Sequence, residues 1–184
     1  MGKQEMLYFR RNVQYIPQCP DLALDPMWYI YDSIAEPLRI HQIARSQREE
    51  LEVVRSASSR FGLGLDQLRR KPRDVSGGEL QRALLSRSMV LNPKVIIADE
   101  PTSMLDPSTQ AKIVHQLIEV QKETGLAVLF VTHDLELAKK ISDRICVMLG
   151  GMIVESGDTL EVFSSPIHPY TSSLISRLTY SSEV

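Results

Sequence analysis

An unbroken apolar run, Val95-Ile96-Ile97-Ala98, ends in two adjacent acids, Asp99 and Glu100. It lacks polar alternation and is rich in β-branched residues, the pattern of a strand covered on both faces in a parallel sheet. Parallel strands need long crossovers, and helices supply them. The flanking sequence offers those helices. Upstream, Ser76 and Glu79 form a capping box; Leu80, Ala83, Leu84 and Met89 then share one helical face until Asn92-Pro93. Downstream, Asp106-Pro107 reads as an N-cap with proline in the first turn. That helix carries Ile113, Val114, Leu117 and Ile118, and Gly125 stops it. Ala127 to Val131 reads as a second buried strand. Asp134 opens another helix with Leu135, Leu137, Ala138 and Ile141 inward. Ile145–Leu149 and Met152–Ser156 flank Gly150-Gly151, a two-residue hairpin signal. The order strand, helix, strand, helix, strand from Val95 onward defines an α/β fold with a parallel sheet.

The first half reads differently. Val13 to Ile16 is a short strand with Val13 and Tyr15 on one face, ended by Pro17. Pro20 and Pro26 frame an irregular loop, and Pro37 interrupts or starts a helix within 28–40. Ser46 and Glu49 form another capping box, followed by a helix from Gln47 to Arg60 with Leu51, Val54, Ala57 and Phe61 at helical spacing. Between 28 and 91 no strand pattern occurs, so this stretch reads as a helical subdomain.

At 184 residues the chain can bury a real core. Its net charge of −2 argues against a duplex-DNA binder that relies on counterion release. The two cysteines, Cys19 and Cys146, stand far apart, which fits neither a disulfide framework nor a zinc site and suits a reducing compartment. No apolar run reaches the roughly 20 residues that span a bilayer. Membrane association is therefore expected only through a partner.

Three places carry candidate chemistry. A helix that opens at Ser76-Gly77-Gly78-Glu79 offers unpaired backbone N–H groups, a positive dipole end and a serine hydroxyl, which together suit an anion. A plain capping box is the competing explanation of the same residues. Asp99 and Glu100 end a buried strand, where open α/β sheets bind ligands; a solvated pair of strand-end acids is the alternative. Thr132-His133-Asp134 follows the next strand.

In this order, these runs resemble the ATP-binding cassette (ABC) ATPases. Val75-Ser76-Gly77-Gly78-Glu79-Leu80-Gln81-Arg82 is similar to the family signature, with Glu79 where glutamine is commoner. Asp99-Glu100 resembles the Walker B acids, and 101–106, ending in Leu105-Asp106, the D-loop, with Met104 at a position where small residues are common. The resemblance implies that Asp99 holds Mg²⁺, that Glu100 is the general base, and that His133 contacts the γ-phosphate. It implies that Ser76, Gly77, Gly78 and Glu79 close over ATP held by a second cassette, and that Asp106 communicates across the dimer. Gln18, in Pro17-Gln18-Cys19-Pro20, resembles the Q-loop glutamine that touches Mg²⁺ or water, with Gln14 as competitor. Glu36-Pro37-Leu38 and His168-Pro169-Tyr170-Thr171 look like the peptide and nickel importer branch, where the latter run opens a C-terminal extension. Leu174, Ile175 and Leu178 give that tail an apolar face.

The phosphate loop G-x-x-x-x-G-K-[ST] does not occur, and no glycine has another five residues on. The resemblance thus implies an N-terminally truncated cassette. Its parts would be 1–27, a core remnant with the Q-loop; 28–91, the helical subdomain with the signature; 92–157, the α/β core; and 158–184, the extension. The expected function is the ATP-hydrolysing subunit of a peptide or nickel importer at the cytoplasmic face of the membrane. Its cofactors would be ATP and Mg²⁺. Its partners would be a second ATPase subunit, transmembrane permeases and, indirectly, a substrate-binding protein, with no nucleic acid. Two other readings stay open: a non-catalytic cassette that presents its signature face to a complete partner, and an ATPase head of the chromosome-maintenance or repair type. If the phosphate-loop strand belongs beside Val95–Ala98, that strand should show an open edge here.

Overall fold

The computed structural model describes residues 2–103 and 105–181, with side chains as far as residue 177. Met104 and the Leu178 side chain lie outside the described residues. The chain forms two compact units, the first ending at Val131 and the second beginning at Thr132.

The first unit contains three parallel strands: β1 (Val13–Ile16), β2 (Val95–Asp99) and β3 (Ala127–Val131), in the order β1-β2-β3. Val95 pairs with Val13 on one side and Ala127 on the other. β2 is therefore central and hydrogen-bonded along both edges, which corrects the expectation that Val95–Ala98 has an open edge. The expectation of full burial also needs correction. Ile16, Ile96 and Ala98 are wholly buried against Phe61, Leu85, Met89, Ile113 and Leu117. The opposite face, which bears Tyr15, Leu129 and Val131, is open, with these three 57, 58 and 45% exposed. β3, expected to be buried, has one exposed face as a result. The apolar character of these strands exceeds what the helices of this unit cover.

A second core lies among the helices α2 (Pro20–Ala23), α3 (Ile30–Ile40), α4 (Gln47–Arg60), α5 (Leu65–Leu68) and α6 (Gly77–Met89). Ile30, Ile34, Leu38, Val54, Leu63 and Leu68 pack there with Leu80, Ala83 and Leu84. The remaining apolar side chains of α6, Leu85 and Met89, belong to the sheet core. One helix thus serves both cores, which is why its apolar residues wrap most of its circumference. α2 falls in the stretch expected to be irregular, because Pro20 is tolerated at a helix start. Ser46 caps α4 by accepting from the Glu49 N–H, but the Glu49 carboxylate takes the Arg45 N–H rather than closing a box. Leu51, expected on the inner face of α4, is 38% exposed.

Pro37 sits inside α3 and neither starts nor ends it. A proline there leaves the carbonyl four residues back, Ser33, without its helical donor. Arg87 of α6 fills the gap: its Nε donates to the Ser33 oxygen at 3.0 Å, and its Nη2 pairs with Glu36 at 2.6 Å. Arg87→Ala is expected to lower stability by about 1–3 kcal/mol, the cost of an unsatisfied, part-buried acceptor. Urea unfolding measures it. An unchanged midpoint would show that water reaches the carbonyl.

α7 (Pro107–Thr124) begins at the Asp106 cap and ends at Gly125, whose φ of +70° favours glycine. The structure adds α1 (Lys3–Asn12) before β1, a surface helix with no buried residue.

In the second unit, α8 (Leu135–Ile141) precedes β4 (Arg144–Leu149) and β5 (Met152–Asp158). β4 does not extend the parallel sheet; it pairs antiparallel with β5 across Gly150-Gly151, whose φ values are +57° and +81°. Leu135, Leu137, Ala138 and Ile141 are half-buried rather than buried. α9 (Thr159–Ser164) and α10 (Pro169–Ser181) complete the unit. Glu155 of β5 accepts the N–H groups of Ile167 and His168 at 2.8 and 3.0 Å, which anchors the His-Pro-Tyr run ahead of α10. Among the described residues no helix is long and apolar enough to cross a membrane.

Candidate functional site

The C-terminal ends of β1 and β2 bring four polar side chains together. Alternation puts Tyr15 and Asp99 on the open face, since Tyr15 pairs with Ile97, two residues before Asp99. The Tyr15 hydroxyl donates to Asp99 Oδ2 at 2.9 Å. That bond raises the tyrosine pKa above its ordinary value. Beyond the strand, Gln18 Nε2 donates to Glu100 Oε2 at 2.9 Å.

Glu100 turns away from the strand with φ +42°, a left-handed conformation uncommon for a residue with a side chain. Its N–H still bonds the Val131 oxygen at 2.9 Å, and its carbonyl accepts from Ser103. The turn therefore separates the directions of two adjacent acids. Strain of this kind costs on the order of 1–3 kcal/mol and concentrates at functional sites.

Gln14, the competing glutamine, lies within β1 and donates back to the Arg10 oxygen. Only Gln18 meets an acid.

The second group lies where α6 and α7 begin. The Ser76 capping box forms as expected: Glu79 N–H donates to Ser76 Oγ at 3.3 Å and Ser76 N–H to Glu79 Oε2 at 2.8 Å. The Ser76 N–H holds the Glu79 carboxyl below the usual carboxylate range. The two glycines play different parts. A side chain at Gly78 would sit 3.0 Å from Thr109 of α7, so this glycine permits close helix contact. A side chain at Gly77 would meet nothing within 4 Å, so its backbone faces open space, where an anion can approach.

Asp106 caps α7 by accepting from the N–H groups of Ser108 and Thr109 at 3.1 and 3.0 Å and from the Ser108 hydroxyl at 2.7 Å. The Ser108 hydroxyl, with Thr109 next, holds its carboxyl well below the usual range. Packing of Gly78 on Thr109 thus joins the Ser-Gly-Gly run to the Asp106 cap.

His133 is exposed and belongs to the second unit, ahead of the Asp134 side chain that caps α8. The side chain that sequence reasoning passed over is Tyr15. Its signal was the period of two: with β1 and β2 parallel, the odd residues of both strands share one face.

The first unit thus carries a parallel α/β sheet with two diverging acids at its C-terminal end, and a capped helix start with a glycine open to space. Comparison with known proteins identifies the class. The sequence profile of the ABC transporter family, ABC_tran, matches residues 1–103, and the chain belongs to that family. It is 42% identical over 177 residues to the oligopeptide transport ATP-binding protein OppF of Bacillus subtilis strain 168, covering 96% of this chain and 58% of that protein. It is 45% identical over 171 residues to the glutathione import ATP-binding protein GsiA of Pectobacterium atrosepticum, covering 93% of this chain and 27% of that one. Among solved structures, the dimeric ATP-binding cassette MJ0796 bound to ADP and Pi superposes with a TM-score of 0.77 at 27% identity, over 86% of this chain and 68% of that one. CbiO1 from Clostridium perfringens, part of the ABC transporter complex cbiONQ, gives 0.77 at 27% identity, over 89 and 64%. The chain spans about half the length of the OppF proteins it matches.

Proposed function

We propose that these residues are the acid-bearing and signature-bearing part of an ATP-hydrolysing subunit of an ABC importer, for peptides or nickel. The observation that carries this reading is the Gln18–Glu100 hydrogen bond at the C-terminal end of the parallel strands. It sets a glutamine amide against the acid that this reading takes as the general base. Glu100 accepts the proton of a water whose oxygen bonds the γ-phosphorus as the bond to ADP breaks. Gln18 orients that carboxylate. Phosphoryl transfer needs such positioning more than covalent help from the protein.

Asp99 fits Mg²⁺, which favours one or two carboxylates with water and substrate phosphates completing its shell. Bound there with nucleotide, the cation would neutralise developing phosphate charge. Among the described residues no cluster of three or more acidic, His or Cys side chains could form an all-protein metal cage. Ser76, Gly77, Gly78 and Glu79 would close on ATP held by a second cassette, with Asp106 beside that contact. Motif order alone gives His133 the γ-phosphate contact.

The division into 1–27, 28–91, 92–157 and 158–184 follows these roles. The relatives' names support peptide import. Partnership with permeases and indirectly with a substrate-binding protein, and a peripheral place at the cytoplasmic face of the membrane, belong to the same reading.

These 184 residues contain no phosphate-loop motif. Phosphate-loop backbone and lysine supply most phosphate contacts in such ATPases. The chain alone is expected to bind MgATP weakly, and to add nucleotide affinity only with a complete cassette present. Titration calorimetry with and without that cassette checks this. Micromolar binding by the chain alone would overturn the expectation.

A further inference from the structure

We propose that Tyr15 is a positioning residue for Asp99: its hydroxyl fixes one carboxylate oxygen and leaves the other to a divalent cation. This rests on reading Asp99 as the cation's carboxylate. The 2.9 Å bond engages Oδ2, and no other hydrogen bond reaches this carboxylate among the described residues. An otherwise unsupported carboxylate turns about its terminal torsion, which has broad preferences. A charge-assisted bond from a phenol removes that freedom.

The register makes the contact possible. Asp99 lies on the shared face, one diagonal step beyond the residue opposite Tyr15. An aromatic side chain spans a diagonal of about 7–8 Å, and a hydroxyl at its tip then meets the acid. Tyr15 is 57% exposed, and the side-chain hydrogen bond it makes comes from its hydroxyl. Tyr15 and Gln18 thus act as a pair. The strand and the loop after it contribute one donor each, and each donor holds one of two adjacent carboxylates. Partners of this kind, which orient a metal's carboxylate, typically change metal affinity 10–100-fold when removed.

The test uses the full chain labelled with ¹⁵N, and with ¹³C at tyrosine Cζ, and Mn²⁺ alone as the probe. Wild type, Tyr15→Phe, Tyr15→Met and Asp99→Asn are compared, with amide spectra confirming the fold. Without metal, Asp99→Asn is expected to shift the Tyr15 Cζ signal. With Mn²⁺, the midpoint for broadening of the Glu100 and Val131 amide signals is expected to rise about tenfold in both Tyr15 variants and further in Asp99→Asn. A Tyr15 Cζ signal indifferent to Asp99→Asn shows that the bond is absent and overturns the proposal. Unchanged midpoints in the Tyr15 variants, with loss in Asp99→Asn, overturn it while leaving Asp99 as the cation's ligand. No Mn²⁺ effect in wild type, or none from Asp99→Asn, removes the reading of Asp99 and the proposal with it.

Discussion

Glu100→Gln is expected to lower ATP turnover by about 10²–10⁴-fold, on the order of 3–5 kcal/mol of barrier, once the chain is joined to a phosphate-loop segment. The substitution keeps the shape of the side chain and its ability to accept from Gln18 Nε2, now 2.9 Å from the carboxylate. It removes the basicity that a water attacking phosphorus requires. The left-handed backbone at φ +42° is equally awkward for either residue, so fold and nucleotide affinity should change little. Single-turnover hydrolysis and equilibrium nucleotide binding measure the two effects separately. Near-normal hydrolysis with normal binding would reject Glu100 as the base.

Gly77→Asp is expected to abolish hydrolysis in a partner's site while sparing the folding of this chain. A side chain at Gly77 meets nothing within 4 Å, so the new carboxylate finds room. Its negative charge then stands where a phosphate must reach the unpaired N–H groups of α6. Gly78→Ala is the instructive contrast, because its methyl group would press on Thr109 at 3.0 Å and disturb packing first. A mixed assembly of this chain with a complete cassette, assayed for ATP hydrolysis with and without Gly77→Asp, reads the effect directly. Equal rates would remove the signature assignment.

The sequence made local structure legible where chemistry at a single position decides it. Asp106-Pro107 and Gly125 mark the ends of α7, Gly150-Gly151 forms the hairpin turn, and Ser76 with Glu79 forms a capping box. What escaped depends on neighbours distant in sequence. The apolar run Val95–Ala98 implied cover on both faces, yet only the even positions meet helices. The uncovered apolar surface lies at Tyr15, Leu129 and Val131, not along an edge of β2. Leu51 fits the helical spacing of α4 but turns outward. Within the site, the preference for Gln18 over Gln14 rested on the resemblance of Pro17-Gln18-Cys19-Pro20 to the family's Q-loop. The reach of Tyr15 to Asp99 required knowing that β1 and β2 are parallel neighbours in that register. The two roles of Gly77 and Gly78 required the position of α7.

A proline within a helix ordinarily makes a joint, and Arg87 turns this one into a splint. The two bonds of Arg87, to the Ser33 oxygen and the Glu36 carboxylate, tie the turn of α3 that precedes Pro37 to α6. Because Arg87 stands in the last turn of the helix that opens at Ser76, the splint and the glycine-bearing tip are the two ends of one rod. The contact with α3 and the open glycine at Gly77 are therefore set at a fixed helical distance from each other, about ten residues apart along α6.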